Sequence, residues 1–361
     1  MPADSGHSGL VTDAAVATIN ELLADAERSA AIAGLRYVYT AEPGFSRRRR
    51  GRGFSYVDAA GRVVDVETRD RIRLLVIPPA WRQVWICIDP EAHLLATGFD
   101  DRGRRQYLYH PRWREARDVI NGYRLIEVGP RLPTVRAEVE RQLRRRTPDR
   151  EVVLAAMVRI VDRVGIRVGN EVYAEENDSV GLCTLTKRHV SVDGSRLRLR
   201  FPAKSGLAAD LTLDDPQVAR VVRALLARPG RRLFALDGKA VTPDELNRHL
   251  AGLTDGVVTA KDFRTWRGTR VAFEILRRPG AEDREQRAIE AVDAAAEALG
   301  NTRAVARAHY VHPDMLAAWL DGTFDAQLAR ARRVRSPGLD PTERALLGLL
   351  EVLFRHRREL R

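Results

Sequence analysis

Two hydrophobic periodicities divide the chain. Between residues 36 and 110 the apolar residues come in short runs, "FSYVDAAGRVVDV", "VWICID", "HLLATGFD" and "RQYLYH", separated by Gly, Pro and Asp. Side chains two apart share one face of a strand, so these runs predict a sheet. From about residue 116 the spacing changes to three and four. "LPTVRAEVERQLRRR", "REVVLAAMVRIVDRV", "DPQVARVVRALLAR", "TPDELNRHLAGL", "FRTWRGTRVAFEILRR" and "EDREQRAIEAVDAAAEALG" read as helices, several opening on Ser, Thr, Asp or Pro. One β insert, "HVSVDGSRLRLRFPAKSGLAADLTL", interrupts them, with a hairpin turn expected at Asp193-Gly194 and a second turn at "PAKSG". Residues 11 to 34 read as an amphipathic helix. The pattern predicts an α+β fold, with a sheet-rich domain over residues 1–115 and a mainly helical domain with a small β insert over 116–361.

The stretch "GNTRAVARAHYVHP", residues 300–313, predicts a further short helix ended by Pro313. At 3.6 residues per turn Ala304, Ala308 and Val311 fall on one stripe and Arg303, Arg307 and Tyr310 on another. Asn301 stands where a helix N-cap is expected.

With 361 residues the chain is long enough for two cores. No later segment approaches 18 uninterrupted apolar residues, so a cytoplasmic protein without a membrane span is expected. Cys87 and Cys183 offer neither a disulfide framework nor a multi-cysteine metal site. The formal charge of +12 favours a polyanionic partner, most simply nucleic acid. Part of that charge is the run Arg47 to Arg50, which by itself reads as a solvated or disordered segment. Of 61 basic residues only Lys187, Lys204, Lys239 and Lys261 are lysine. Arginine keeps its proton at any physiological pH, whereas a lysine in suitable surroundings releases it, so a retained lysine hints that its proton matters.

The sequence carries no CxxC pair, no HExxH, no phosphate loop ending in GK[ST] and no compact carboxylate cluster, and His309 and His312 lack a third ligand. A mechanism without metal or other cofactor is therefore expected. Metal-free phosphodiester cleavage needs a nucleophile, a proton donor for the leaving sugar oxygen and fixed positive charge on the phosphate. Tyrosine, lysine and arginine supply those types.

Four stretches resemble the type IB DNA topoisomerases, especially the small poxvirus-like bacterial group. "VGIRVGNEVYAEENDSVGLCTLTKRHVSV" (164–192) is similar to the family string that carries its first catalytic arginine, here Arg167. "FPAKSG" places the family's general-acid lysine at Lys204. "TAKDFRTWRGT" (259–269) places the second catalytic arginine at Arg264. "GNTRAVARAHY" resembles the segment that ends in the nucleophile, here Tyr310. Upstream, residues 77–110 resemble the family's DNA-clamping cap domain, and "GRRQYLY" matches a segment that contacts the major groove, which implies Arg105, Gln106, Tyr107 and Tyr109 as DNA contacts. The residue pattern alone equally allows a strand that turns Tyr107 and Tyr109 to a core.

The resemblance implies a monomeric two-domain clamp on double-stranded DNA, located at the nucleoid. It implies relaxation of supercoils through a 3'-phosphotyrosyl intermediate without ATP or metal. Two positions depart from the family. Asn301 stands where many members have a histidine that donates to a phosphate oxygen, and Ala203 stands where a glycine commonly precedes the lysine. Two alternatives stay open: a tyrosine recombinase, whose H-x-L-R pattern would need a histidine where Lys261 stands, and a non-catalytic architectural DNA-binding protein.

Overall fold

In the computed structural model the chain divides into two compact units, the first comprising residues 1–121 together with 358–361 and the second Gly122–Arg357. The structure describes residues 25–169, 179–203, 208–280, 283–331, 334 and 336–359, the side chains of 357–359 excepted. Of the helix expected over 11–34, only the end lies among these residues. It forms α1 (Ala26–Ile32), with the Asp25 carboxylate accepting from the Arg28 amide at its start.

The first unit holds a five-stranded antiparallel sheet of β1 (Gly44–Arg50), β2 (Gly53–Val57), β3 (Arg82–Cys87), β4 (Leu94–Phe99) and β5 (Arg105–Tyr109), in the order β2-β1-β3-β4-β5. Helix α2 (Val66–Leu74) sends Ile72 into a core with Tyr56, Ile77, Val84, Ile86 and Ala96. Helix α3 (Pro111–Tyr123) follows the sheet, and its Trp113 and Ala116 pack with Ala30, Ala33 and Leu35.

The arginine run is not a loose basic segment. It lies in β1, where Arg47 pairs opposite Tyr56 and Arg49 opposite Phe54. The Arg47 guanidinium lies 4.2 Å over the Phe54 ring and donates to the carbonyl oxygens of Ile77 (3.2 Å), Pro78 (3.0 Å) and Trp81 (2.6 Å). A planar fork of donors suits such a cluster of carbonyls in the Pro78-Pro79 loop, which has two amides fewer than an ordinary chain. Arg48, Arg49 and Arg50 are exposed. The charge run thus conceals one structural arginine.

The second unit is mostly helical: α4 (Leu125–Val128), α5 (Leu132–Leu143), α6 (Arg150–Val164), α7 (Pro216–Leu226), α8 (Pro243–Thr254), α9 (Ala260–Leu276), α10 (Arg284–Leu299), α11 (Arg303–His309), α12 (Pro313–Leu320), α13 (Phe324–Arg330) and α14 (Pro341–Glu359). Helix α6 is apolar on nearly all sides and buries ten of its residues, so it is the central element. It starts on an Asp149 cap and stops at Gly165, whose φ of 64° lies in the left-handed region. Helix α9 packs along α10, and α10 lies beside the shorter α11 and α12.

The β insert forms a three-stranded antiparallel sheet of β6 (Val190–Asp193), β7 (Arg196–Pro202) and β8 (Ala208–Asp214). Its first turn is one residue later than expected. Asp193 pairs with Arg196, so Gly194 and Ser195 make the turn, and Gly194 takes the positive φ of 52°. Lys187, just before the insert, donates from Nζ to the carbonyls of Leu226 and Arg228. A compact cation thus closes the C-terminal end of α7, and its charge rather than its proton accounts for that lysine.

Replacing Arg47 by alanine strips four carbonyls, those of Ile77, Pro78, Pro79 and Trp81, of their donor and is expected to lower unfolding stability by about 2 kcal/mol. Arg49→Ala, on the exposed part of the run, is expected to cost less than about 0.5 kcal/mol. Denaturant unfolding of the two variants distinguishes them, and equal losses would mean that the run acts as undifferentiated charge.

Candidate active site

Three helix ends meet at one place. The left-handed turn at Gly165 carries the chain from α6 through buried Ile166 to Arg167, and the Arg167 and Val168 carbonyls accept from the amides of Leu182 (2.8 Å) and Cys183 (2.7 Å). That clamp requires glycines, since a Cβ on Gly169 would stand 2.7 Å from the Gly181 Cα. Residues 170–178 lie outside the described residues.

Arg264 sits in the second turn of α9, only 3% exposed. The start of α9 is fixed by a capping box, in which Asp262 accepts from the Thr259 amide (2.7 Å) and hydroxyl (2.8 Å), and by Arg124, whose Nε donates to Asp262 at 2.8 Å. The Arg264 guanidinium donates to the Gly165 carbonyl and, at 3.1 Å, to that of Leu299. It lies 4.9 Å from the centre of the Tyr310 ring. Arg167 reaches the same region from the other side, donating to the Gly300 carbonyl (3.3 Å) and to Oδ1 of Asn301.

Asn301 is not the cap of α11. Thr302 fills that position, with its hydroxyl accepting from the Val305 amide, while the Asn301 amide closes α10 on the Ala296 carbonyl at 2.9 Å. The Asn301 side chain is thereby free for the site. Because arginine can only donate, the bond from Arg167 fixes the acceptor end of the amide, leaving Nδ2 as a buried donor without a partner among the described residues.

The stripes expected on α11 also need correction. The helix ends at His309, and its single buried side chain is Ala306; Ala304 and Ala308 are exposed, and Arg303 pairs outward with Asp293 at 2.5 Å. Tyr310 is the residue after the helix, with φ −132° and ψ −4°. It therefore does not lie on an arginine face of α11. Its arginine is Arg264, from a neighbouring helix. Val311 is buried as expected. His312 is buried edge-on against Tyr123, 4.6 Å between ring centres, and His309 is exposed.

Two residues that the sequence reading passed over seat the tyrosine. Thr269 donates from its hydroxyl to the Tyr310 carbonyl (3.2 Å), and a Cβ on Gly268 would stand 2.6 Å from that same oxygen. The only available signal was their adjacency to Arg264 in "RTWRGT". Burial pushes the Tyr310 phenol up, but the positive charge of Arg264, aided by Arg167 and Lys261, outweighs it and holds the phenol below its ordinary range. Lys261, another of the four lysines, thus acts on the phenol as a charge.

Lys204 lies outside the described residues. The strands on either side of it remain paired up to Pro202 opposite Ala208. In the first unit Arg105 donates to the Thr40 hydroxyl (2.8 Å) and Gln106 to Asp100 (2.9 Å). The rings of Tyr107 and Tyr109 stack with centres 5.9 Å apart, Tyr107 exposed and Tyr109 half-buried beside Trp113.

The arrangement is a phenol flanked by two guanidinium groups and an unpartnered amide donor, the donor set for a tetrahedral oxyanion such as a phosphate ester. Comparison with known proteins gives that chemistry its family. The family described as eukaryotic DNA topoisomerase I, catalytic core, matches residues 114–331, and that described as bacterial DNA topoisomerase IB, N-terminal domain, matches residues 53–100. DNA topoisomerase 1B of Acanthamoeba polyphaga mimivirus is 31% identical over 213 residues, 56% of this chain and 63% of that protein. DNA topoisomerase 1B of vaccinia virus (strain Copenhagen) is 23% identical over 120 residues, 33% of this chain and 38% of that protein. DNA topoisomerase 1 of Schizosaccharomyces pombe is 30% identical over 121 residues, 33% of this chain and 15% of that protein. The chain spans less than two thirds of the length of each of these relatives. Since the core match covers more than half of its residues, the chain belongs to the type IB DNA topoisomerase family, in the poxvirus-like bacterial group.

Arg264→Ala removes the main positive charge and leaves burial opposed only by Arg167 and Lys261, so the Tyr310 phenol is expected to titrate at higher pH. The difference in ultraviolet titration between each protein and its Tyr310→Phe counterpart isolates that one phenol. An unchanged midpoint would show that Arg264 does not set it.

Proposed function

We propose that this protein is a DNA topoisomerase that relaxes supercoiled duplex DNA by cutting one strand, holding it covalently, and resealing it. The observation that carries this reading is the convergence of Arg167, Arg264 and the Asn301 amide on Tyr310. The Tyr310 oxygen attacks a backbone phosphorus, the bond to the 5'-oxygen breaks, and a 3'-phosphotyrosyl link forms. A phenol held below its ordinary range loses its proton more readily as it attacks. Arg167 and Arg264 hold the non-bridging oxygens as charge builds on them, and Asn301 donates through Nδ2 in the position where many relatives have a histidine. An amide has no titration near neutral pH, so this donor works unchanged across the physiological range.

Lys204 takes the role of proton donor to the leaving 5'-oxygen, by its place in the family's motif. The link conserves the energy of the broken phosphodiester, so religation proceeds by the reverse step without ATP. Arg105, Gln106, Tyr107 and Tyr109 contribute duplex contacts from the first unit, Tyr107 being the exposed aromatic among them. The protein acts as a monomer at the nucleoid. Among the described residues no helix is long and apolar enough to cross a membrane.

Supercoiled plasmid incubated with the protein in EDTA without ATP is expected to relax, and Tyr310→Phe to abolish both relaxation and the covalent adduct. No relaxation by the wild type, or full activity of the variant, sinks the reading, and binding without an adduct would favour an architectural protein. Asn301→Ala is expected to slow single-turnover cleavage about 10²-fold, the cost of one oxyanion donor. A rate within twofold of wild type would return Asn301 to a purely structural role.

A further inference from the structure

The chain continues after Tyr310 into α14, whose first turn holds Glu343, a carboxylate only 1% exposed. Asp340-Pro341-Thr342-Glu343 is a capping box: the Glu343 amide donates to Asp340 Oδ1 (2.9 Å), and the Asp340 amide donates back to Glu343 Oε2 (3.1 Å). Such a glutamate ordinarily faces water. Here Oε2 also accepts from Arg136 Nη1 at 2.9 Å, while Oε1 accepts from Arg136 Nη2 at 2.8 Å and from the Trp266 indole at 3.0 Å. All four acceptor positions of the carboxylate are therefore occupied.

The connections lead to the site from two directions. Trp266 stands two residues beyond Arg264 on α9, wedged so closely against Gly129 that a Cβ there would stand 2.8 Å from the indole ring. Arg136, from α5, uses its opposite edge to grip Asp162 on α6, with Nε and Nη2 donating at 2.9 and 3.0 Å. Asp162 precedes Gly165 by three residues, and the Gly165 carbonyl accepts from Arg264. Arg270, also on α9, pairs with Asp340 at 3.1 Å. One buried carboxylate thus fixes the helix that bears Arg264 and, through Arg136, the helix end that leads to Arg167.

We propose that Glu343 is a positioning residue for strand cleavage: the segment after the nucleophile completes the site by holding the two arginine-bearing elements in register. This inference rests on the reading of the protein as a tyrosine transesterase. Positioning of this kind acts on the rate of the chemical step, because the two guanidinium groups must meet the phosphate as charge develops, and much less on the ground-state grip on the duplex. Glu343→Gln keeps the shape but turns an amide NH2 toward Arg136 or the indole. Trp266→Phe keeps the Arg136 pair and removes the indole donor to Glu343, together with the ring edge packed on Gly129.

The experiment follows single-turnover adduct formation by the full chain on a duplex oligonucleotide at saturating protein, so that the rate constant does not depend on the fraction folded. Duplex affinity and thermal melting are measured alongside. Glu343→Gln is expected to slow adduct formation at least tenfold and Trp266→Phe at least threefold, each with duplex affinity within twofold of wild type. Rates within twofold of wild type, with only the melting temperature lowered, overturn the proposal and leave Glu343 a scaffold residue. If Glu343→Gln does not fold, Trp266→Phe decides by the same criterion. A wild type that forms no adduct defeats the functional reading itself, which separates the two failures.

Discussion

Arg264 is a permanently charged group buried in the second unit with no carboxylate to pair with among the described residues. Removing a cation from water is costly unless the charge is compensated, and here the compensation is partial. Two backbone carbonyls at helix C-terminal ends, those of Gly165 and Leu299, accept from it, and the face of the Tyr310 ring lies against it. Carbonyl ends carry a fraction of a negative charge, which holds the guanidinium in place without neutralising it. On the proposed function, that surplus is what an incoming phosphate would satisfy. The architecture around the site follows from the need to keep that surplus charge buried and still.

The scaffold arginines show the contrast. Arg136, Arg124, Arg150 and Arg159 each bridge helices or strands through carboxylates, with Arg136 held between two of them. Arg167 and Arg264 have carbonyls, an amide oxygen and a ring instead. Among the described residues, an arginine faced by an acid ties elements of the fold together, whereas these two, faced by neutral acceptors, gather around Tyr310. Arg47 is a third case, an arginine spent on a proline-rich loop. Nothing in the spelling of an arginine-rich chain separates these uses.

That explains which parts were legible in the sequence. Strands β2 to β5 and helices α5 to α10 follow from local periodicity and caps, whereas β1 was hidden in the arginine run and α14, the longest helix, lies beyond the elements that the pattern predicted. Arg167, Arg264 and Tyr310 stood out in the sequence only through family resemblance, and the structure brings them near one another. Periodicity failed at α11, where Ala306 rather than Ala304 and Ala308 meets the core, because a seven-residue helix takes its orientation from its neighbours. Thr302 took the cap from Asn301 for a local reason: Asn301 was already engaged in ending α10 and in holding Arg167. Glu343 carried no reading in the sequence, because only the tertiary contacts with Arg136 and Trp266 distinguish it from an ordinary capping-box residue.

Helix α11 is shorter than the length at which helices hold together unaided, and it buries one alanine. The shape of the segment that presents the phenol is therefore imposed on it from outside, by the Gly268 and Thr269 backbone seat and by the caps at Gly300 and Thr302. On the function proposed above, in which parted ends are rejoined, this is a form of memory. The template for that geometry is stored in α9, a neighbouring helix whose own shape is fixed by its capping box and its packing on α10.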